Sequence, residues 1–326
     1  MSLYQKIERM WWQSAPPPLL LQWASRVYEW ANQRNLQRRA ARFQTPPLPL
    51  VSIGNITVGG SGKTPFVIWL ARALQGKGIK PVVLCRGDGG SQPEPKIITE
   101  SDSAELVGDE ARLLFESCGC PVIAGRDRIR ASQMAAGLGD VILLDDGFQY
   151  RQLARICDIV LVPAAGIGNG HQLPAGPLRE FPNALDRADI IIRTGKETPV
   201  QIHASREWCW HTQPGELVQV AGQKAPVPKK VVAACAIARP QRFFQSLQEK
   251  GLELGDKVIF RDHHRFSAHD MSRLTKTGLP VVVTGKDAVK LRSLWPASVP
   301  LWVQEQKPIA SQDLLEAIVR PILSAR

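Results

Sequence analysis

The chain is short of acid, of paired cysteines and of long apolar runs. Its 326 residues include 30 Asp and Glu against 41 Lys and Arg, a formal net charge of +11. That deficit points to anionic partners: a nucleotide, a phosphorylated lipid, an acidic membrane surface or a nucleic acid. No run of 18 or more apolar residues occurs, which argues against a transmembrane helix. The six cysteines are scattered, and the one close pair, Cys118 and Cys120, lacks the second pair that a structural zinc site takes. They read as reduced thiols of a cytosolic protein. Neither a repeat of fixed period nor a low-complexity tract interrupts the chain.

What is present begins with an unusual N-terminus. Trp11 and Trp12 precede Pro16, Pro17 and Pro18. Leu19, Leu20, Leu21, Trp23, Val27, Tyr28 and Trp30 then follow, interrupted at helical spacing by Gln22, Ser25, Arg26 and Glu29. Arg34, Arg38, Arg39 and Arg42 come next, and residues 1–45 hold seven Lys and Arg against two Glu. Aromatic residues on an apolar helix edge beside arginines suit the headgroup boundary of an anionic bilayer. The alternative is a helix packed on the domain with its arginines in water. The apolar stretch follows prolines and has no small-residue cleavage site, so it is not read as a cleaved leader.

From Pro46 onward short apolar runs alternate with helical segments, which predicts βαβ units and a mainly parallel sheet. Strands are expected at 49–54, 81–85, 121–124, 140–145, 158–163 and 189–193, with helices at 63–76, 105–117, 126–138 and 181–187. Residues 196–228, rich in Trp, Pro and Gly, read as an irregular connection. A second, smaller α/β unit follows: strands at 230–236, 257–260, 280–284 and 300–303, and helices at 240–250, 268–277 and 311–323. The expected division is an amphipathic helical segment at 1–45, a P-loop domain at 46–228 and a small α/β domain at 229–326.

Four constellations carry chemistry. The strongest is Thr57-Val58-Gly59-Gly60-Ser61-Gly62-Lys63-Thr64, which follows an apolar strand and opens an apolar helix. Backbone N–H groups of such a turn cradle phosphates at a helix N-terminus. Lys63 would reach the β- and γ-phosphates and the Thr64 hydroxyl would ligate Mg²⁺. Thr57 stands where the strict pattern has glycine, yet the Gly-Gly-x-Gly-Lys-Thr core keeps its strand–loop–helix setting. The second is Asp145-Asp146-Gly147-Phe148-Gln149 at the end of an apolar run. Acids there point into the crevice where ligands bind, and one of the two is the expected metal partner of Thr64. The third, Gly108-Asp109-Glu110, is explained on its residues alone by helix capping. The fourth, Asp262-His263-His264, reads on its own as surface histidines, although an acid beside an imidazole can orient a base.

In chain order, GNITVGGSGKTP (54–65), CRGDGG (85–90), VGDEA (107–111), LLDDGFQYRQL (143–153), GNGHQLPAGPLRE (168–180), RPQRFF (239–244), FRDHH (260–264) and TGKDAVK (284–290) resemble the tetraacyldisaccharide 4′-kinases of lipid A synthesis in Gram-negative bacteria. The resemblance implies a P-loop kinase fold and transfer of the γ-phosphate of Mg·ATP to the 4′-hydroxyl of a tetraacyldisaccharide 1-phosphate. It implies a monomer at the cytoplasmic face of the inner membrane, with no nucleic acid partner. It also reverses the two readings above, making Asp109 the candidate base and His263 its helper from the other domain. Lys63, Thr64 and an acid from Asp145 or Asp146 would surround the nucleotide and metal. Glu180 is placed near the metal, and Arg126, Arg128 and Arg179 are read as phosphate clamps. The chain departs from the family pattern at Asp88 (usually Tyr), Tyr150 (usually His), Ala236 and Ala238 (usually Gly) and Gly285 (usually Glu). These changes touch acceptor details and inter-domain contacts. Two rivals share parts of the pattern. A membrane-associated P-loop switch ATPase has no need of an acid–imidazole pair in a second domain. A nucleic-acid-dependent ATPase would line a groove with basic and aromatic residues, whereas the basic cluster here sits with tryptophans near the N-terminus.

Overall fold

The computed structural model describes residues 7, 9–13, 16–195, 207–237, 240–261, 264–311 and 313–325. Among them the alternating runs become one mixed sheet of twelve strands. Apolar runs with little polar interruption bury both faces, as strands covered by helices on two sides must. Strands β1 (Leu50–Gly54), β2 (Pro81–Cys85) and β5 (Val141–Asp145) are buried at every position. With β4 (Val122–Ala124), β6 (Cys157–Pro163) and β7 (Ile190–Thr194) they run parallel, and β3 (Lys96–Ile97) closes the edge antiparallel. The second half contributes β8 (Glu207–Ala221), β9 (Lys230–Cys235), β10 (Glu253–Ile259), β11 (Val281–Val283) and β12 (Leu301–Ala310). The order across the sheet is β10, β9, β11, β12, β8, β7, β6, β1, β5, β2, β4, β3.

The helices are α1 (Leu19–Ala40), α2 (Lys63–Gly76), α3 (Ala104–Val107), α4 (Asp109–Cys118), α5 (Arg128–Met134), α6 (Pro240–Glu249), α7 (Ala268–Thr275), α8 (Gly285–Leu291) and α9 (Leu314–Ser324), with a 3₁₀ turn at Pro182–Arg187. Alternation along the strands sends Val51, Ile53, Val83 and Leu143 to one face, under Phe66, Leu70 and Leu74 of α2 and Leu114 of α4. Leu50, Val82, Leu84 and Ile142 go to the other face, under Ala131 of α5 and Ala135. The expected P-loop architecture, a mainly parallel sheet flanked by helices with a smaller α/β unit beyond, is the one observed.

Three expectations change. The stretch read as an irregular connection over 196–228 contains β8, whose first residues pair parallel with β7 and whose remainder pairs antiparallel with β12. Pro214 and Gly215 sit where the long two-stranded ribbon bulges, so composition alone misled. Fully buried Trp210 of β8 meets Phe66 of α2 edge-on at 5.2 Å and floors the P-loop. The closing helix was placed with the small unit at 229–326. Leu314, Ile318 and Ile322 of α9 instead pack into the core that holds Phe66 and Leu70. The helix expected at 105–117 breaks at Gly108, whose φ of 94° ends α3 and starts α4. A Cβ at Gly108 would stand 2.6 Å from the Asp88 carbonyl oxygen, so only glycine lets the loop after β2 touch the start of α4.

Helix α1 carries its apolar side chains outward: Leu19, Leu20, Trp23, Val27 and Trp30 are exposed while Ser25 and Leu36 are buried. No helix among the described residues is long and apolar enough to cross a membrane.

Candidate active site

The site grows from two neighbouring strand ends. Because β1 and β5 are paired in register, with Ile53 opposite Asp145, the loop after β1 and the acids after β5 emerge side by side. Residues 57–64 close into a loop whose Gly59 and Gly62 adopt φ of 98° and 82°, and Gly62 caps α2. No atom lies within 4 Å of a Cβ built at Gly59 or Gly60, and the Ser61 hydroxyl is buried without a partner. An open glycine turn, an orphaned hydroxyl and the unpaired N–H groups of a helix start fit a phosphate chain. The loop is braced from outside by Val58 N–H donating to the Pro177 carbonyl at 2.8 Å and Asn55 Nδ2 donating to the Thr57 carbonyl at 2.6 Å.

Lys63 Nζ donates to Asn55 Oδ1 at 3.1 Å and lies 3.4 Å from Asp146 Oδ1. Arg179 grips the same carboxylate through both oxygens, at 3.1 and 2.9 Å. Asp146 itself has φ of 51°, a left-handed conformation that non-glycine residues rarely take. Arg128, 4% exposed, donates to its carbonyl at 3.1 Å and braces that turn from below. Burial opposes ionisation of Asp146, but Lys63 and Arg179 outweigh it and hold the carboxyl far below the usual carboxylate range. Asp145 goes the other way. Burial pushes its carboxyl up to about 7 against the pull of Lys63, with the charges of Asp146 and Glu110 adding to the rise. Its Oδ1 is buried and has no partner. A buried carboxylate oxygen without a donor, at the strand end next to the one that feeds the glycine loop, suits a divalent cation that binds together with phosphates.

The remaining predicted residues are spread further. Glu180 is buried and held by Arg151 at 2.7 Å, by Arg187 at 3.2 Å and by Gln149 at 3.2 Å. With its carboxylate taken up by two guanidinium groups, it orders the Gln149 and Arg151 turn rather than reaching a metal. Arg128 is likewise a brace for Asp146, too deeply buried to clamp an acceptor phosphate. Arg126 stays exposed in the bend after β4. Asp109 opens α4 and pairs with Lys290 of α8 at 3.1 Å. Asp262, His263 and Ala238 lie outside the described residues. Neighbouring His264 has its Nε2 3.1 Å from Asp270 Oδ2 and its ring stacked on Phe260 at 4.7 Å.

Among the departures, Asp88 pairs with Arg86 at 3.1 Å and Tyr150 lies under the Arg128 guanidinium at 5.3 Å. Ala236 N–H donates to Asp287 at 3.1 Å, and a Cβ at Gly285 would meet Leu113 of α4 at 3.8 Å. Sequence reasoning missed Asn55, Gln149 and Lys290. Asn55 had a signal: it stands two residues past Ile53, the β1 partner of Asp145, and so must face Lys63 or the acids. Gln149 Nε2 donates to the Asn55 carbonyl at 2.9 Å, closing the ring.

The fold and this site define a P-loop phosphotransferase. The family model described as LpxK, tetraacyldisaccharide-1-P 4′-kinase, matches residues 17–323, and the chain belongs to that family. It is 40% identical over 260 residues to a tetraacyldisaccharide 4′-kinase of Halorhodospira halophila, covering 78% of this chain and 77% of the relative. It is 34% identical over 327 residues to the tetraacyldisaccharide 4′-kinase of Dechloromonas aromatica, covering 97% of each. The crystal structure of LpxK from Aquifex aeolicus in complex with ATP superposes with a TM-score of 0.77 at 26% identity, over 91% of this chain and 97% of that one.

Proposed function

We propose that this chain transfers the γ-phosphoryl group of ATP to the 4′-hydroxyl of a tetraacyldisaccharide 1-phosphate, giving the 1,4′-bisphosphate and ADP. The observation that carries the reading is the Lys63–Asp146–Arg179 cluster at the mouth of an open glycine loop, in a member of this kinase family. Phosphoryl transfer asks mainly for positioning and charge neutralisation. The loop N–H groups and Lys63 hold the transferred group and the leaving β-phosphate. The bond from the γ-phosphorus to the bridging oxygen breaks, the 4′-oxygen takes its place, and the hydroxyl proton passes to the Asp109 carboxylate, oriented by His263. Thr64 and Asp145 would hold Mg²⁺, with Asp146 kept in place by its two cations. Bound there, the ion would neutralise charge on the β- and γ-phosphates. Arg126 is left as the clamp for the acceptor 1-phosphate.

The outward apolar face of α1, beside Arg26, Arg34 and Arg38, supports seating of the chain on an anionic membrane surface, and we take it there to be a peripheral monomer on the cytoplasmic face of the inner membrane. The body from residue 46 would then bend over the headgroup while the acyl chains stay in the bilayer. The test is transfer of labelled γ-phosphate to a tetraacyl disaccharide 1-phosphate in detergent micelles. A labelled bisphosphorylated lipid is expected, and its loss in Lys63→Ala and Asp109→Ala. ATP hydrolysis with no labelled lipid would overturn the reading.

A further inference from the structure

Helices α4 and α8 face each other across the two halves, and their ion pairs differ in character. Glu116 with Arg292 at 3.1 Å and Glu110 with Lys286 at 3.9 Å lie toward solvent, where such pairs contribute little. Lys290 is different: its side chain is only 6% exposed. A buried ammonium is costly unless its donors are satisfied, so its partners show what it is for. Lys290 Nζ lies 3.1 Å from Asp109 Oδ2 and donates to the His264 carbonyl at 2.9 Å, with the Phe266 ring 5.5 Å away. One partner is the candidate base. The other is the backbone of the residue that directly follows His263. That backbone is itself pinned, since His264 is bonded to Asp270 at 3.1 Å and its ring sits between Phe260 and Phe266.

We infer that Lys290 is a positioning residue for phosphoryl transfer: its ammonium fixes the Asp109 carboxylate of one half and ties it to the His264 backbone of the other, so that the base is held in one place toward the acceptor hydroxyl. The inference rests on the reading of Asp109 as the base. A base misplaced by about an ångström loses much of its effect, and general-base contributions run to about 10² to 10⁴ in rate. An ordinary inter-helix ion pair would move stability and leave turnover alone; a positioning cation moves turnover through Asp109.

The experiment measures kcat and KM for ATP and for the micellar lipid acceptor in the full chain, with thermal melting as a folding check. Lys290→Met keeps the stem without donors, Lys290→Gln is a milder neutral variant, and Lys290→Arg restores charge and donors. Expected are a kcat about 10²-fold lower in Lys290→Met and Lys290→Gln, a KM for ATP within about two-fold, and recovery to within about ten-fold in Lys290→Arg. Arg292→Met, which breaks a neighbouring solvent-facing pair of the same interface, stays within about two-fold. Because the route runs through Asp109, Asp109→Asn with Lys290→Met is no slower than Asp109→Asn alone. Lys290→Met at wild-type kcat with a slow Asp109→Asn overturns the inference alone. So does a Lys290→Met effect undiminished in the Asp109→Asn background. Asp109→Asn at wild-type rate overturns the base reading and this inference with it.

Discussion

The two sides of the candidate site are built in opposite ways. The nucleotide side comes from two strand ends that the sheet places in register, and its groups already hold one another: Asn55, Lys63, Asp146 and Arg179 are linked in series. The acceptor side is assembled from α4, α8 and the backbone at His264, with Lys290 joining them. The first is local motif chemistry on a rigid scaffold. The second exists only once the halves meet, so its parts should be separable by mutation in a way the first side's are not.

The largest effect is expected at Lys63. Its ammonium serves Asn55, Asp146 and the phosphates at once, so Lys63→Ala should lower labelled transfer at least about 10³-fold and weaken nucleotide binding as well. Near-normal transfer in that variant would show that the nucleotide side is not the preassembled unit described. Asp109→Asn should lower kcat about 10²-fold while ATP binding, measured by calorimetry, stays within about two-fold. Loss of ATP binding there would erase the distinction between the two sides.

The third contrast lies between neighbours. Asp146 is held far below the usual carboxylate range, whereas burial pushes Asp145 up to about 7. A carboxyl that titrates near 4 unfolded and near 7 folded favours the unfolded chain as it ionises. Stability should therefore fall as pH rises from about 4 to about 7 and level off above, by at most about 4 kcal/mol. Asp145→Asn removes the decline, so the nucleotide-free variant should melt higher than wild type at pH 8 and match it near pH 4. Asp146→Asn should do the reverse, melting lower at pH 8 because Lys63 and Arg179 lose their partner. Parallel melting curves for wild type and Asp145→Asn across that range would contradict the buried, unpartnered placement of Asp145.

How much could be read in advance follows the same divide. The P-loop and the acid pair were legible because a strand, a glycine turn and a helix are consecutive in the chain, and the β-rich runs fixed β1, β2, β5 and β7 closely. Asp109 was ambiguous because an acid after a glycine at a helix start also satisfies the helix dipole, and nothing local names its partner. Lys290 was invisible for the same reason: in TGKDAVK it is one more lysine on a short amphipathic helix until α8 meets α4. Burial was hardest to foresee. Arg128 and Glu180 have the charges of ligand contacts, yet both are spent on bracing the turns around Asp146 and Gln149. The ribbon of β8 and β12 was missed because its prolines and glycine mimic a linker.

The smallest effect concerns α1, whose surface is the inverse of an ordinary packed helix. Ser25 faces inward, donating to the Gln172 carbonyl at 2.8 Å and accepting from Ala175 N–H at 3.1 Å, while Trp23 and Leu20 are 68% and 80% exposed. Asn32 donates to the Arg179 carbonyl at 2.8 Å, so the helix is anchored on the segment that also grips Asp146. A helix held by polar contacts with its large apolar groups outward is the surface that the proposed anionic membrane contact would cover. Leu20→Glu with Trp23→Glu places charge on that face without touching the anchor. Co-flotation with anionic vesicles should weaken about ten-fold, and transfer to vesicle-borne acceptor should fall in step. Transfer to a short-chain, dispersed acceptor should stay within about two-fold, because the candidate site is intact. Equal losses on both acceptors would mean that α1 supports the nucleotide side rather than the surface it faces, and undiminished flotation would overturn the proposed membrane role of α1.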